Sequence, residues 1–228
     1  IRVRALFDNP VLARFAALLD IDADTAETVA SEDPSATNAD RPERFPLAPM
    51  QRRLWSLQRS QPDTVDYVMP FRLHLRGSVD VPTLRAAVVD VVTWHAGLRT
   101  VYPEGADGPF GIVLDDAAAV VGPLTAADDD PAAIVEALAG RPFDLTVDAP
   151  LRVGLSSAGD THTLVLAIHH IAADGASLPL IVGDLIRTYR ERLAGRATAW
   201  QAAPLDYRDY ALAMAQADDG GIDDDRRY

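Results

Sequence analysis

Two adjacent histidines, His169 and His170, end an apolar run, and Asp174 and Gly175 follow closely. The stretch from residue 164 to residue 182 reads LVLAIHHIAADGASLPLIV, so a second apolar run begins soon after the Asp-Gly pair. Imidazole exchanges a proton near neutral pH, and each histidine is therefore a candidate base, acid or metal ligand. The pattern predicts a strand, a turn and a helix, with the polar residues at the turn.

The two histidines are expected to differ in environment. Neighbouring side chains on a strand point to opposite faces, so one should be packed and hydrogen-bonded while the other projects into open space. This disfavours a metal site, whose ligands must converge on one ion, and His162 lies too far back along the strand to be a third ligand. The alternative is that both histidines are hydrogen-bonded structural residues without a catalytic role, and that Asp174 caps the next helix.

The position of this segment, between a strand and a helix, nevertheless favours a catalytic role over a purely structural one. Backbone N–H groups and the helix dipole converge where a helix begins, and they stabilise negative charge there. Asp174 can cap this helix through the Ser177 amide or hold an arginine from elsewhere. Gly175 can allow a ligand to approach closely, or it can adopt an unusual backbone angle.

The composition restricts the possible partners. The net charge of −13 disfavours nucleic acid and anionic membranes, because both are bound by basic patches. The chain has no cysteine, so disulfides and thiolate zinc sites do not arise. No apolar run reaches the ~18 residues of a transmembrane helix. A cytoplasmic protein without a nucleic-acid or membrane partner is expected.

The chain divides into three parts. The first part is residues 1–19, in which residues 7–19 predict one amphipathic helix with Asn9 as its N-cap and Pro10 at the first helical position. Residues 20–44 hold eight acidic residues against two arginines and show no apolar periodicity, which is typical of a solvated linker. Residues 45–228 alternate between helical and strand patterns.

Periodicity assigns the elements of this third part. Apolar residues at helical spacing predict helices, and alternation or short apolar runs predict strands. Helices are predicted at 49–60, 81–98, 131–142, about 177–193 and 205–216, and strands at 66–77, 98–103, 110–114, 150–157 and 161–170. The last two strands are expected to pair, the second buried on both faces, in an α/β sandwich whose helices cover a mixed sheet.

The spacing His-His-x-x-x-Asp-Gly of residues 169–175 resembles the signature of the condensation domains of non-ribosomal peptide synthetases, relatives of chloramphenicol acetyltransferase. Three further segments resemble other motifs of that family, in the same order. They are PLAPMQRRLWSL (46–57, matching at Gln51, Arg53, Leu54 and Trp55), WHAGLRTVY (94–102, matching at His95, Leu98, Arg99 and Thr100) and YRDYALAM (207–214). The chain departs from these motifs at Ala48, Met50, Trp94 and Ala96.

The resemblance implies a chloramphenicol acetyltransferase-like α/β fold, a two-layer sandwich lobe with a mixed sheet covered by helices. Residues 45–228 are then the N-terminal lobe of a condensation domain whose C-terminal lobe is not in the chain. Residues 1–19 resemble the last helix of a peptidyl carrier protein, and residues 20–44 the linker between the two domains.

The reaction that the resemblance implies is aminolysis, in which the amine of an acceptor aminoacyl thioester attacks the carbonyl of a donor peptidyl thioester. His170 would position or deprotonate the amine, and His169 would be its packed partner. Asp174 would be a structural carboxylate paired with an arginine, and Gly175 would leave an amide facing the oxyanion. The supporting arginine is expected to be Arg99, with Arg53 as the second candidate.

The resemblance also implies the partners. Both substrates are tethered to phosphopantetheine on an upstream donor and a downstream acceptor carrier protein, and the lobe itself binds no cofactor and no metal. The C-terminal lobe and a downstream adenylation domain complete the assembly, which makes products such as antibiotics or siderophores. The isolated lobe is expected to be inactive.

Three alternatives stay open. Epimerisation domains share the histidine signature, but usually carry Val-Ser-Trp-Arg after the glycine, where this chain has ASLPLI (176–181). A stand-alone CoA-dependent acyltransferase is opposed by the predicted carrier helix. A non-catalytic carrier-binding fragment is the third alternative. Among condensation domains, the motifs favour an L-configured donor, and heterocyclisation domains are excluded because they carry aspartates in place of the histidines.

Overall fold

The computed structural model describes residues 42–124, 126–127, 130–200 and 206–221. The helix predicted within residues 7–19 and the linker up to residue 41 lie outside the described residues. In chain order the described elements are β1 (Arg44–Pro46), α1 (Pro49–Ser60), β2 (Val68–Arg76), α2 (Val81–Trp94), a 3₁₀ turn (Ala96–Arg99), β3 (Thr100–Val101), β4 (Glu104–Gly105), β5 (Gly108–Val113), α3 (Ala117–Val121), β6 (Ala126–Ala127), α4 (Pro131–Ala139), β7 (Leu151–Ala158), β8 (Thr161–His169), α5 (Ser177–Leu193) and α6 (Tyr207–Gly221).

The main sheet has the order β2-β8-β7-β6. β8 pairs antiparallel with β2 and with β7, whereas β6 runs parallel to β7. All residues of β8 from Thr163 to His169 are buried, because the strand has a partner on each side and packed layers on both faces. β2 instead alternates between more and less buried residues along its length. The predicted mixed sheet and the predicted pairing of its last two strands are confirmed.

Helices α2 and α5 cover one face of this sheet and pack against each other. The β8 residues on this face, Leu164, Leu166 and Ile168, belong to a buried cluster with apolar residues of both helices. Full burial of each such side chain contributes roughly 1.5–3 kcal/mol relative to exposure. The two helices therefore hold the β8–α5 junction in a fixed place.

The opposite face of the sheet receives α1 and α4. Ala167 of β8 lies in a second buried cluster with Trp55 of α1 and Phe143. Helix α4 approaches the sheet closely at Gly154, where an added Cβ would come within 2.8 Å of the Ile134 side chain. Because side chains alternate along β8, His169 points to this face, toward α1.

The smaller sheet has the order β1-β5-β3, and β4 pairs with β5 in a tight hairpin. Gly108, at the start of β5, has a backbone φ of +106°, a conformation that residues other than glycine rarely adopt. The hairpin predicted from residues 98–103 and 110–114 is confirmed by the antiparallel pairing of β3 with β5.

The helix predicted at 81–98 ends earlier than expected. Helix α2 stops at Trp94 because His95 leaves the helical region with ψ 84, and a 3₁₀ turn follows. Nε2 of His95 lies 2.8 Å from a carboxylate oxygen of Asp184 in α5. This contact links α5 to the residue where the backbone leaves the helix, an interaction that helical periodicity does not reveal.

Candidate active site

The candidate site lies at the junction between β8 and α5. His169, the last residue of β8, is fully buried, whereas His170 is exposed in the turn that follows. The backbone N–H of His170 donates to the carbonyl of Tyr67, 2.8 Å away, just before β2 begins. The expectation that one histidine is packed and the other projects outward is confirmed.

The His170 ring has one nitrogen held by the backbone. Nδ1 lies 2.9 Å from the carbonyl oxygen of Ala173. A carbonyl only accepts hydrogen bonds, so Nδ1 carries the proton and Nε2 of the neutral ring carries the lone pair. Nε2 has no hydrogen-bond partner among the described residues. The arrangement presents a proton acceptor outward from the turn.

His169 is held between two aromatic rings and two hydrogen bonds. Its ring centroid lies 5.9 Å from that of Phe143, which is edge-on, and 6.2 Å from that of Tyr67. Nδ1 accepts a hydrogen bond from the Ile171 N–H at 3.1 Å, and Nε2 lies 3.2 Å from Oε1 of Gln58. Burial, together with the neighbouring charge of His170, lowers the pKa of His169 to about 4. His169 is therefore neutral at physiological pH.

Asp174 organises the start of α5. Its Oδ1 accepts hydrogen bonds from the backbone N–H groups of Ala176 and Ser177, at 3.0 and 2.9 Å, and from the Ser177 hydroxyl at 2.7 Å. The two bonds from Ser177 lower the pKa of Asp174 below its ordinary value. The predicted capping of the helix through the Ser177 amide is confirmed.

The expected pairing of Asp174 with an arginine is wrong for the described residues, where no ion pair reaches this carboxylate. Arg99 is buried, and its guanidinium donates to the backbone carbonyls of Thr93 and Leu114. It therefore ties the end of α2 to the end of β5. Arg53 is exposed on α1 and lines a groove with Met214 of α6. Asp174 needs no arginine because it is exposed and three donors already occupy Oδ1.

Loss of the Asp174 side chain should have a modest effect on stability. Asp174→Ala is expected to lower the free energy of unfolding by about 0.5–2 kcal/mol, the usual effect of removing a helix-capping side chain. Asp174→Asn keeps the Oδ1 acceptor and should stay within about 0.5 kcal/mol of the parent. Chemical denaturation measures both values. A loss of about 3–5 kcal/mol in the alanine variant, as expected for a stranded buried charge, would contradict this account.

Gly175 lies in the exposed turn before α5. Its φ is not positive, so the unusual backbone angle that the sequence allowed is not adopted. A Cβ built on Gly175 would meet nothing within 4 Å. The glycine therefore leaves open space beside the first backbone N–H groups of α5, where a ligand could approach.

Two buried glutamines of α1 contact the histidine turn without having been predicted as site residues, and a buried tyrosine bonds to one of them. Gln58 of α1 contacts His169, and the hydroxyl of the fully buried Tyr102 accepts a hydrogen bond from Gln51, 3.2 Å away. Gln51 also reaches the carbonyl oxygen of Ile171 at 3.4 Å. The sequence indicates part of this arrangement, because Gln51, Trp55 and Gln58 share one helical face. Polar residues on a buried face need hydrogen-bond partners, although the sequence does not show which partners they have.

Among the described residues, no group of three or more histidine and carboxylate side chains lies close enough to hold a metal ion. In the same part of the chain, none of the helices combines the length and the apolar character required to cross a bilayer.

Comparison with known protein families gives one match over most of the chain. The family model described as Condensation domain matches residues 42–228. The chain is 41% identical over 175 residues to a probable non-canonical nonribosomal peptide synthetase, CymA, of Salinispora arenicola, a match covering 75% of this chain and 2% of the relative. It is 44% identical over 181 residues to an isonitrile lipopeptide synthase of Mycobacterium tuberculosis, covering 76% of this chain and 7% of the relative. The chain thus spans a small part of these relatives.

Solved structures share the fold. The X-domain from teicoplanin biosynthesis, solved in complex with OxyB, matches with a TM-score of 0.73 and 34% identity, over 84% of this chain and 42% of that one. The first condensation domain of the calcium-dependent antibiotic synthetase, with a bound substrate analogue, matches with a TM-score of 0.67 and 24% identity, over 77% of this chain and 44% of that one. The chloramphenicol acetyltransferase-like fold expected from the sequence is confirmed.

Proposed function

The chain belongs to the condensation-domain family, whose model matches residues 42–228, and on this basis we propose that it forms peptide bonds within a non-ribosomal peptide synthetase. The two substrates are an acceptor aminoacyl thioester and a donor peptidyl thioester, each tethered to phosphopantetheine on a carrier protein. The upstream and downstream carriers, a C-terminal lobe and an adenylation domain are its proposed partners.

The observation that carries this proposal is the state of His170. Its ring is exposed, Nδ1–H is held by the Ala173 carbonyl, and the lone pair on Nε2 faces away from the turn. A thioester is already activated, so the enzyme must mainly orient the reactants and keep the amine neutral. An imidazole lone pair on a rigid strand end suits that task near neutral pH.

In the proposed reaction the acceptor amine donates a hydrogen bond to Nε2 of His170. The amine nitrogen attacks the donor carbonyl carbon, a C–N bond forms, and negative charge collects on the carbonyl oxygen. Nε2 receives the proton that the nitrogen loses. The C–S bond then breaks, and the proton passes to the leaving sulfur to give the free phosphopantetheine thiol. No metal or redox partner is needed to balance these steps.

The neighbouring residues have supporting roles in this proposal. Asp174 keeps the turn closed on the start of α5 through its bonds to Ala176 and Ser177. Gly175 carries no side chain and leaves space for the donor carbonyl beside the turn, while the Ala176 and Ser177 amides are engaged by Asp174. His169 anchors the turn from the buried side.

Product analysis tests the proposed function against its alternatives. The intact synthetase is supplied with carriers loaded with a donor and an acceptor, and the carrier-bound products are cleaved and identified by mass spectrometry and chiral chromatography. A condensation domain gives an amide of donor and acceptor. An epimerisation domain gives an unlinked donor of inverted configuration, and a CoA-dependent acyltransferase gives product only when acyl-CoA replaces the donor carrier.

A non-catalytic binding role is the second candidate function. It is favoured by the 34% identity to the X-domain, a protein solved in complex with OxyB. Such a role predicts that carriers or another protein bind to the intact synthetase, while loaded carriers yield no amide. The product assay, run together with a binding measurement on the same protein, separates this candidate from the first.

We also propose that residues 1–228 alone do not catalyse condensation. The chain spans 42% of the X-domain chain that it resembles. Without the proposed C-terminal lobe the site would be open on one side, and an open site cannot orient two tethered substrates or exclude water from a thioester. Dipeptide formation by purified residues 1–228 is compared with that of the intact synthetase, with circular dichroism confirming that the fragment is folded. Turnover by the folded fragment at the rate of the intact protein would contradict the expectation.

A further inference from the structure

Gln58 is a buried polar residue on α1 whose amide orientation is determined by its neighbours. Its Nε2 donates to the backbone carbonyls of Pro62 and Thr64, at 3.2 and 3.3 Å. Carbonyl oxygens only accept hydrogen bonds, so the NH₂ end of the amide must face them. The other end, Oε1, therefore faces His169, with 3.2 Å between Oε1 and Nε2 of the ring.

This orientation determines the tautomer of His169. Oε1 is an acceptor, so Nε2 of His169 must carry the ring proton. On the other side of the ring, the Ile171 N–H donates to Nδ1 at 3.1 Å, which requires that Nδ1 be unprotonated. Two independent contacts thus demand the same neutral tautomer. Both partners are buried, Gln58 being 4% exposed and His169 0%, so a mismatch here would leave an unsatisfied polar group away from water.

The His169 tautomer in turn shapes the turn that holds His170. The bond from Ile171 N–H to Nδ1 and the bond from Ala172 N–H to the His169 carbonyl, at 3.0 Å, fold the backbone back on the strand end. The Ala173 carbonyl is placed by this fold so that it accepts from Nδ1 of His170 at 2.9 Å. A continuous series of hydrogen bonds and peptide units therefore runs from Gln58 to the exposed imidazole.

We propose that Gln58 is a positioning residue for the condensation reaction, holding His169 in the Nε2–H tautomer so that the following turn presents the Nε2 lone pair of His170 to the acceptor amine. The inference rests on the proposed function and adds to it a residue on another element, 112 positions before His170. Gln58 touches neither substrate in this scheme and acts only through His169.

Two substitutions at Gln58 distinguish a role in holding His169 by a hydrogen bond from a role in packing alone. Gln58→Asn keeps a polar amide but shortens the side chain by one methylene, which withdraws the acceptor from His169. Gln58→Glu keeps the length and an acceptor oxygen in either protonation state, but its second oxygen can donate to at most one of the Pro62 and Thr64 carbonyls, and only when the carboxyl is protonated. Gln61→Asn, the same chemical change at an exposed residue one turn further on, is the matched control.

The experiment measures kcat and KM for dipeptide formation by the intact synthetase, at a temperature where each variant remains folded by circular dichroism. Gln58→Asn is expected to lower kcat by roughly 10- to 100-fold, the size of effect that a misplaced reacting group produces, with KM for the acceptor carrier changed less than about twofold. Gln58→Glu should retain a kcat within about threefold of the parent, and Gln61→Asn should match the parent, since neither removes the acceptor that His169 requires. A folded Gln58→Asn variant with parental kcat, or equal losses in the asparagine and glutamate variants, would overturn the proposal.

A second measurement distinguishes this proposal from the proposed function. If Gln58 acts only through His170, then adding Gln58→Asn to His170→Ala should leave the residual rate unchanged, because residues that act as a unit are not additive. A further multiplicative loss in the double variant overturns the positioning role while leaving the catalytic role of His170 intact. A His170→Ala protein with the parental rate would show that His170 takes no part in the reaction, whereas a parent synthetase that forms no amide from loaded carriers would show that the proposed function itself is wrong.

Discussion

His170→Ala is expected to reduce dipeptide formation by about 10²- to 10⁴-fold in the intact synthetase, the range that a positioned acid–base group contributes. The fold should survive, because His170 is exposed and its ring makes one hydrogen bond among the described residues, to the Ala173 carbonyl. Single-turnover assays with loaded carriers measure the rate, and thermal unfolding measures the stability. The effect should be largest for weakly nucleophilic amines, for which a base at the nitrogen matters most.

A suitable control for this prediction is His74→Ala. His74 is an exposed histidine on β2, with Nδ1 3.2 Å from the Thr163 hydroxyl and no part in the β8–α5 junction. Its replacement removes an imidazole of similar exposure and should leave the rate unchanged. If His170→Ala forms product at the parental rate with a weakly nucleophilic amine, then the imidazole neither deprotonates nor positions the amine.

Acidification should destabilise the protein through His169. The pKa of this ring falls from 6.5 to about 4 because burial and the nearby His170 disfavour its charged form. Below pH 6.5 the unfolded chain takes up a proton at this residue, while the folded chain stays neutral until pH approaches 4. Stability is therefore fully present above about pH 6.5 and declines as the pH falls. At about 1.36 kcal/mol per pKa unit, the total loss below pH 4 is about 3 kcal/mol.

Comparison with a variant isolates this contribution from that of the carboxylates, which also titrate in acid. Chemical denaturation at pH 7, 5.5 and 4 gives the free energy of unfolding for the parent and for His169→Gln, which cannot titrate. The parent should lose about 2–3 kcal/mol more than the variant between pH 7 and pH 4. His170→Gln, at the exposed neighbour, should keep most of the parental pH dependence, because burial is the larger cause of the lowered pKa of His169 and the charge of His170 the smaller. Identical pH profiles for the parent and His169→Gln would show that His169 is not buried in its neutral form.

Much of the fold follows from local patterns. The apolar run of β8 and the helical spacing of 49–60 and 177–193 place these elements correctly, because burial of one face depends on periodicity that a sequence displays directly. The opposite environments of His169 and His170 follow in the same way from the alternation of side chains on a strand. The family is also determined by the sequence, since four motifs lie in order over residues 46–214.

The tertiary structure decided which polar side chains bond to one another. A carboxylate near a helix start can cap the helix or bind a distant arginine, and only the fold shows that Asp174 bonds to Ala176 and Ser177 while Arg99 holds backbone carbonyls. The contact of Gln58 with His169 joins residues 111 positions apart. It depends on how α1 lies across the sheet, which no local pattern specifies. Local sequence determines which face of an element is buried, whereas long-range packing determines what each buried polar atom meets there.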